Sequence, residues 1–529
     1  MIFTSYGFIA FVALLLVAYY SVPKKLQWMI LLIGSYFFYA FSGIENFIFI
    51  IATTLSCFFV AKAIEKLKNG EDEYVALHKD TLQKEERKAY RAKEKKKRLR
   101  ILLGGVIFNL GILAVLKYTA FMIRNVNSIT AIWGAGELAV PSLILPMGIS
   151  FYIFQSTAYL IDVYRGKTFA EKNVARFALF VSFFPQLLQG PISRHSDLAT
   201  QLYAEHKLDA KCLKFGIQRV LWGYFKKLVI ADRVLVAIKT LVGDTEAYTG
   251  AYVFLLIILY SIEIYADFTG GIDITIGISE MLGIRLAENF NRPFSSVSTK
   301  EYWNRWHITM GSWFTDYVFN PLSVSKPMLN LSKKTKACLG NGVGKRISVY
   351  LSTIITWFLT GLWHGAKWNF IVWGLLNCAV ILVSRELEPL YKKFRARFPR
   401  LIQSYPYHCF AATRTFLIMG LIRSLDCYAN VGVTFRLWTS MFTDFNAPQM
   451  LSGGILALGL DIKDYVIIFV SVFLVAIVSR LSQKYDIREK LYGKTALSWA
   501  LSLMLVVAIL LFGAYGIGYD ASQFIYTQF

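Results

Sequence analysis

Charge is scarce in this 529-residue chain: 17% of its residues are charged, where soluble domains carry about 25%. Acid is the scarcer sign, with 34 Asp and Glu against 57 Lys and Arg. The six cysteines (Cys57, Cys212, Cys338, Cys378, Cys409 and Cys427) show no CxxC pair and no metal-ligand spacing, which argues against a disulfide scaffold or a zinc module. A Gly-rich phosphate loop and a nucleotide fingerprint are also missing, so no metal or permanently bound cofactor is expected. The apolar run Phe8–Tyr20 has no basic stretch before it and no small-residue cleavage site after it, so it is expected to remain as a first helix.

What is present is apolar side chain, 56% of the total, with a mean hydropathy of +0.47. It falls in runs of roughly membrane-spanning length, so the bilayer is the solvent and lipid the first partner. Candidate spans lie at 5–22, 26–42, 45–64, 101–123, 140–161, 174–190, 213–240, 250–279, 303–322, 347–363, 367–385, 408–424, 464–479 and 495–514. Some of these are expected to be re-entrant or interfacial. The fold class is an all-α polytopic membrane protein with about 11–14 transmembrane or re-entrant helices. Four regions follow: N-terminal transmembrane helices over 1–64, a basic arm over 65–100, a membrane core over 101–425, and an extracytoplasmic segment with C-terminal helices over 426–529.

The formal charge of +23 sits in short stretches between apolar runs. That is how orientation signals are distributed, and no nucleic-acid motif accompanies it. Between Lys84 and Arg100 there are ten Lys or Arg against three Glu. This arm is expected in the cytoplasm, as a solvated charged helix in preference to a dock for phospholipid or a carrier protein. Lys326–Arg346, Lys392–Arg400 and Arg480–Lys494 are basic too and belong on the same side. Counting spans places both termini and Leu425–Asp461 outside, and the turn at Gly361–Gly365 inside an apolar hairpin that returns to the cytoplasm.

Two histidines stand out among six, because ionisable groups at membrane depth are costly and are functional candidates. His307 lies in Glu301-Tyr-Trp-Asn-Arg-Trp-His-Ile-Thr-Met310. As one helix, this would put Trp303, Trp306, His307, Met310 and Trp313 on a single face. The alternative is an aromatic interfacial helix with a hydrogen-bonded core histidine. His364 lies in Trp357-Phe-Leu-Thr-Gly-Leu-Trp-His-Gly-Ala-Lys-Trp368, between two glycines that permit close approach. An apolar site disfavours imidazolium, so His364 is expected to stay neutral and ready to take a proton. Glu263, Asp267 and Asp273 offer carboxylates for a proton or ion relay, or alternatively for Lys and Arg partners that shape the interior.

Five stretches together resemble the membrane-bound O-acyltransferase superfamily. They are Phe184-Pro-Gln-Leu-Leu-Gln-Gly-Pro-Ile192, Tyr265-Ala-Asp-Phe-Thr-Gly270 with Asp273, Asn289-Phe-Asn-Arg-Pro-Phe294, Tyr302-Trp-Asn-Arg-Trp-His-Ile-Thr309 and Gly361-Leu-Trp-His-Gly365. The branch resembled is the bacterial one that holds the alginate O-acetylation and teichoic-acid D-alanyl transfer membrane proteins. Thr269 replaces the branch's usual Ser, and Leu421-Ile-Arg-Ser424 replaces a Phe-Phe-Arg-Ala pattern. The resemblance implies helices packed around a central tunnel, with His364 as catalytic base and His307 where distant members carry Asn or Asp. It places Trp303, Asn304, Arg305, Trp306, Trp363, Asp267, Asp273 and Asn320 along the substrate path. The expected donor substrate is acetyl-CoA or an acyl-carrier phosphopantetheine, which brings an acyl-carrier protein in as a candidate partner. The expected acceptor is an exported cell-envelope polysaccharide, reached directly or through an extracytoplasmic acyltransferase partner, at a bacterial cytoplasmic membrane. D-alanyl transfer to teichoic acid is the alternative chemistry, and a transporter or flippase using the carboxylates is the alternative class.

This topology has a direct check. Lys88 and Lys333 are expected to react with membrane-impermeant amine reagents only after cell rupture, and a cysteine introduced near Asp444 to react with impermeant thiol reagents in intact cells. Labelling at position 88 in intact cells would contradict it.

Overall fold

In a computed structural model, which describes residues 2–134 and 136–515, the chain is helical throughout, and its paired extended backbone is a single antiparallel bridge between Phe290 and Trp306. Residues 516–529, the end of the expected C-terminal region, lie outside the described residues. Six helices among those described are long and apolar enough to cross a bilayer. They contain Phe47–Leu77 (α3), Lys84–Thr130 (α4), Ala251–Met281 (α11), Trp368–Glu386 (α16), Ile462–Leu481 (α22) and Thr495–Phe512 (α24). The other apolar runs fold as shorter or interrupted helices, except that 408–424 lies in an unbroken but less apolar helix, Tyr405–Arg423.

The chain forms two compact units, residues 1–216 with 278–287, and residues 217–277 with 288–529. The first is built on α1 (Tyr6–Ser21), α2 (Gln27–Ala40), α3 (Phe47–Leu77), α4 (Lys84–Thr130), α5 (Ile149–Arg165), α6 (Val174–Ser182), α7 (Phe184–Gln189) and α8 (His195–Leu202). α3 packs on α4, α5 and α6. The basic arm is not a separate element, because α3 and α4 simply run on past the apolar runs expected at 45–64 and 101–123. α4 has 47 residues, about 70 Å at the helical rise. The extensions are clasped by an Arg98–Glu71 ion pair at 2.7 Å and by Tyr74 against Tyr90, ring centroids 4.4 Å apart.

Two expected spans change for reasons that proline explains. The run 140–161 becomes helical only at Ile149, because Pro141 and Pro146 lack amide donors and keep the preceding residues extended. The run 174–190 breaks at Phe183, with Pro185 in the first turn of the following helix, and the Phe184 amide donates to Ser35 Oγ at 3.1 Å.

The second unit begins within α9 (Ala210–Tyr224), which passes through a π-helical stretch, Phe225–Ala231, into α10 (Asp232–Gly243). α11 (Ala251–Met281) crosses α9 where Gly223 meets Gly270. A Cβ on Gly223 would stand 2.6 Å from the Gly270 carbonyl oxygen. At this crossing the π-helical stretch presents two adjacent lysines to the carboxylates of α11. Lys227 Nζ sits 2.7 Å from Asp267 and 2.8 Å from Asp232. Lys226 Nζ sits 2.7 Å from Asp273 and donates to Thr269 Oγ1 at 2.8 Å. Arg219 contacts Asp273 at 3.0 Å and holds Glu288 through both terminal nitrogens, at 2.7 and 2.6 Å.

α12 (Thr299–Arg305), α13 (Ile308–Phe314), the π-helical turn Thr315–Phe319 and α14 (Asn320–Ser323) replace the single helix expected over 303–322. α15 (Lys326–His364) is interrupted at Gly340, where φ is +81°, and leads into α16 (Trp368–Glu386). The basic α17 (Glu388–Arg397) and α18 (Pro399–Gln403) precede α19 (Tyr405–Arg423) and α20 (Val431–Thr443). The single turn α21 (Ala447–Gln449), α22 (Ile462–Leu481), α23 (Ile487–Tyr492) and α24 (Thr495–Phe512) complete the unit.

The buried ion network and the exposed pairs are expected to differ sharply in worth. Lys227→Met removes the ammonium shared by two buried carboxylates and is expected to cost about 3–5 kcal/mol. Arg346→Met breaks a half-exposed pair with Glu386 and is expected to cost less than about 1 kcal/mol. Denaturation of the full-length protein in one detergent checks both, and equal losses would contradict the assignment.

Candidate functional site

Every residue of the site lies in the second unit, and the close approach of α15 and α16 builds its centre. Three glycines permit that approach. A Cβ on Gly361 would lie 2.3 Å from the Phe370 carbonyl oxygen, one on Gly374 2.4 Å from the Trp357 carbonyl oxygen, and one on Gly365 2.2 Å from the Phe370 ring. The glycines beside His364 therefore serve the contact between helices. α15 stops at His364 because Gly365 turns to extended backbone, its amide still reaching the Gly361 carbonyl at 3.4 Å.

The buried His364 ring lies edge-on to two indoles, centroids 4.8 Å from Trp373 and 5.0 Å from Trp363. Behind Trp373, the indoles of Trp303 and Trp357 pack at 5.6 and 6.2 Å, and Trp303 Nε1 donates to Asn377 Oδ1 at 3.2 Å. Trp363 also links the two histidines, with its centroid 6.2 Å from that of His307.

His307 is not on a helix face. α12 ends at Arg305, Trp306 is extended in its bridge with Phe290, and His307 takes the left-handed conformation, φ +48° and ψ +53°. It is one of two non-glycine residues with positive φ among those described, the other being Arg292. The strand-like turn is closed by the Ile308 amide to the Asn289 carbonyl at 3.0 Å and the Asn291 amide to the Arg305 carbonyl at 2.9 Å. The shared helical face expected for Trp303, Trp306, His307, Met310 and Trp313 thus does not form. Trp306 and His307 are both buried all the same, and the His307 ring stands edge-on to Phe268 of α11 at 4.9 Å.

Asn289 decides which ring nitrogen of His307 carries the proton. Its Oδ1 accepts from both the amide and the hydroxyl of Thr309, at 3.0 and 2.9 Å. Both ends of the Asn289 amide lie near Nδ1, the oxygen at 3.2 Å and the nitrogen at 3.1 Å, and because Thr309 already occupies the oxygen, the nitrogen is assigned as the donor to Nδ1. A neutral His307 then carries its proton on Nε2, where it acts as a hydrogen-bond donor.

Arg423, at the C-terminus of α19, has its guanidinium between Trp306 and Trp373, 5.3 and 5.2 Å from their rings. It pairs with Asp426 at 3.2 Å. A cation between two buried indoles gains about 2 kcal/mol or more. Asn369 fixes the turn after it, donating to the carbonyls of Leu425 and Tyr428 at 2.9 and 3.1 Å.

The other residues expected on the substrate path are dispersed. Asn304 and Asn320 are exposed, and Arg305 pairs with Glu301 at 2.6 Å and donates to Ser295 Oγ at 2.8 Å. Asp267 and Asp273 are committed to the lysine and arginine network, the partner reading of these carboxylates. The structure adds Asn289, Arg423 and Trp373, which sequence reasoning did not assign to the site. The first two lie in stretches already quoted for their motifs, and Trp373 carries no signal inside an apolar run.

A left-handed backbone penalises most side chains by about 1–2 kcal/mol, and asparagine tolerates it best after glycine. His307→Asn is therefore expected to unfold closer to the native temperature than His307→Leu, measured on detergent-purified protein. The reverse order would mean that the turn is not left-handed.

Comparison with known proteins shows the family. The profile of the MBOAT, membrane-bound O-acyltransferase family, matches residues 170–339. The chain is 32% identical to the probable alginate O-acetylase of Azotobacter vinelandii over 463 residues, 85% of this chain and 81% of that protein. It is 30% identical to the probable alginate O-acetylase of Pseudomonas syringae over 502 residues, 94% and 85% of the two chains, a match long enough to span both histidines. It is 30% identical to the peptidoglycan O-acetyltransferase of Helicobacter pylori over 76% of this chain and 72% of that one. A polytopic helical chain with this profile and these relatives belongs to the membrane-bound O-acyltransferase family.

Proposed function

We propose that the protein transfers an acyl group, acetyl in the first instance, from a cytosolic thioester to a hydroxyl of an exported cell-envelope polysaccharide, in the cytoplasmic membrane of a bacterium. The observation that carries this is the pair of buried histidines joined through Trp363, one at the break between α15 and α16 and one in a strained turn. The names of the relatives support the acceptor class, since they act on alginate and peptidoglycan.

In the proposed step the acceptor oxygen bonds to the acyl carbon while its proton passes to His364. The carbon–sulfur bond breaks, and the leaving thiolate takes the proton back from the imidazolium. The His307 Nε2–H, oriented by Asn289, donates to the carbonyl oxygen as charge develops on it. Arg423, held between Trp306 and Trp373, adds positive potential toward the same oxygen. The donor is acetyl-CoA or an acyl-carrier phosphopantetheine, and an extracytoplasmic protein takes the acyl group onward where the glycan is not itself the first acceptor. With the basic segments in the cytoplasm, a site at a helix break inside the bilayer lets the acyl group cross while both large substrates stay on their own sides.

Deleting the gene is expected to remove base-labile esters from an envelope polysaccharide, and the wild-type gene to restore them. His307→Asn, which keeps a donating amide, is expected to restore part of the signal, and His307→Gly, with no side chain, none. Unchanged ester content in the deletion strain would contradict the proposal.

A further inference from the structure

A cavity of about 490 Å³ opens in the second unit between α22, α11 and the turn Arg292–Ser295, apart from the histidine pair. Along α22 its wall runs from Val472 to Arg480, about 12 Å of helix. Ile230, Ile262, Val472, Val475 and Ala476 make that wall apolar. Lys226, Arg292, Arg480 and Lys484 also line it, and no carboxylate does among the described residues. Of these cations Lys226 is neutralised by Asp273. Arg480 and Lys484 are exposed at the C-terminal end of α22, in the segment whose charge places it at the cytoplasmic face. The adjoining face of α22 is apolar and exposed, with Val466, Phe469, Val470 and Phe473 all uncovered, as a helix that meets lipid must be.

We infer that this cavity holds an anionic phospholipid, its phosphate against Arg292, Arg480 and Lys484 and the first part of an acyl chain along the apolar wall of α22. Charge and shape point the same way. Excess positive charge at a membrane–water boundary attracts acidic headgroups, and directly beyond it lies an apolar slot running into the bilayer. Arg292 is the second residue held at positive φ, with φ +49° and ψ +60°, immediately before Pro293. Strain of this kind collects at ligand sites, and here it turns the backbone so that the Arg292 side chain lines the cavity. The inner wall, Tyr265 and Phe294, packs directly on Trp306, with centroids 6.4 and 6.2 Å away. An occupant of the cavity therefore braces the turn that carries His307.

The test uses the full-length protein in nanodiscs containing phosphatidylglycerol or phosphatidylcholine with a photoreactive acyl chain. Phosphatidylglycerol is expected to label peptides covering 472–484 in excess over phosphatidylcholine. Arg480→Gln with Lys484→Gln is expected to weaken that labelling roughly thirtyfold, from about fivefold per cation removed at a membrane surface. Ala476→Trp, which fills the slot and keeps every charge, is expected to abolish it. Thermal unfolding of each variant confirms that it is folded. Equal labelling by the two lipids, or undiminished labelling of either variant, overturns the inference. Displacement of the label by excess CoA or inorganic phosphate also overturns it, because the cations would then serve a soluble phosphate.

Discussion

The Phe370 carbonyl oxygen occupies the space where any side chain on Gly361 would begin, and the Trp357 carbonyl does the same to Gly374. Two helices brought together this closely leave no width for a water-filled seam, so whatever is placed at their junction is enclosed by rings. That constraint puts His364 at the end of α15, buried between the indoles of Trp363 and Trp373. The rest of the site follows. Trp373 also carries Arg423, Arg423 reaches Trp306, and Trp306 leads into the turn that holds His307.

Separation of charge is the second organising feature. The interior of α11 carries several carboxylates, and each of Asp267 and Asp273 is met by a cation from α9 or its π-helical extension. The π-helical stretch matters because it sets Lys226 and Lys227 toward different acids from adjacent positions. Between those two aspartates, Phe268 faces the opposite way and touches His307. One helix thus keeps its ionic network and its contact with His307 on different sides. Thr269, where the resembled branch uses serine, performs the task with its hydroxyl alone, accepting from Lys226 and donating to the Tyr265 carbonyl at 2.6 Å.

Much of this was legible in the sequence, and what was not has identifiable causes. Hydropathy located the helices because burial in lipid acts on long runs, and the two candidate histidines were visible because imidazole is costly there. The failures came from local backbone chemistry. The indole and histidine spacing at 303–313 fits a helical face, yet the antiparallel bridge between Phe290 and Trp306 overrides it and forces His307 to positive φ. A partner 16 residues upstream leaves no mark on local periodicity. The prolines at 141, 146 and 185 were readable as breaks but were outweighed by apolar neighbours. The glycines around His364 suggested room for a ligand, and only the approach of Phe370 shows that the room is filled by the neighbouring helix. Trp373 and Arg423 had no spacing signal, because their place beside the histidines depends on how α16 and α19 pack.

The central claim is that His364 accepts the proton of the attacking hydroxyl, and the most direct measurement is thiol release by purified full-length protein given acetyl-CoA and an acceptor. His364→Asn keeps a planar polar side chain of similar reach but cannot take a proton at neutral pH. The account predicts that this variant, with an unfolding temperature near that of the wild type, releases thiol ~10²–10⁴-fold more slowly. A folded His364→Asn protein that works within about tenfold of wild type, less than a general base contributes, would contradict it.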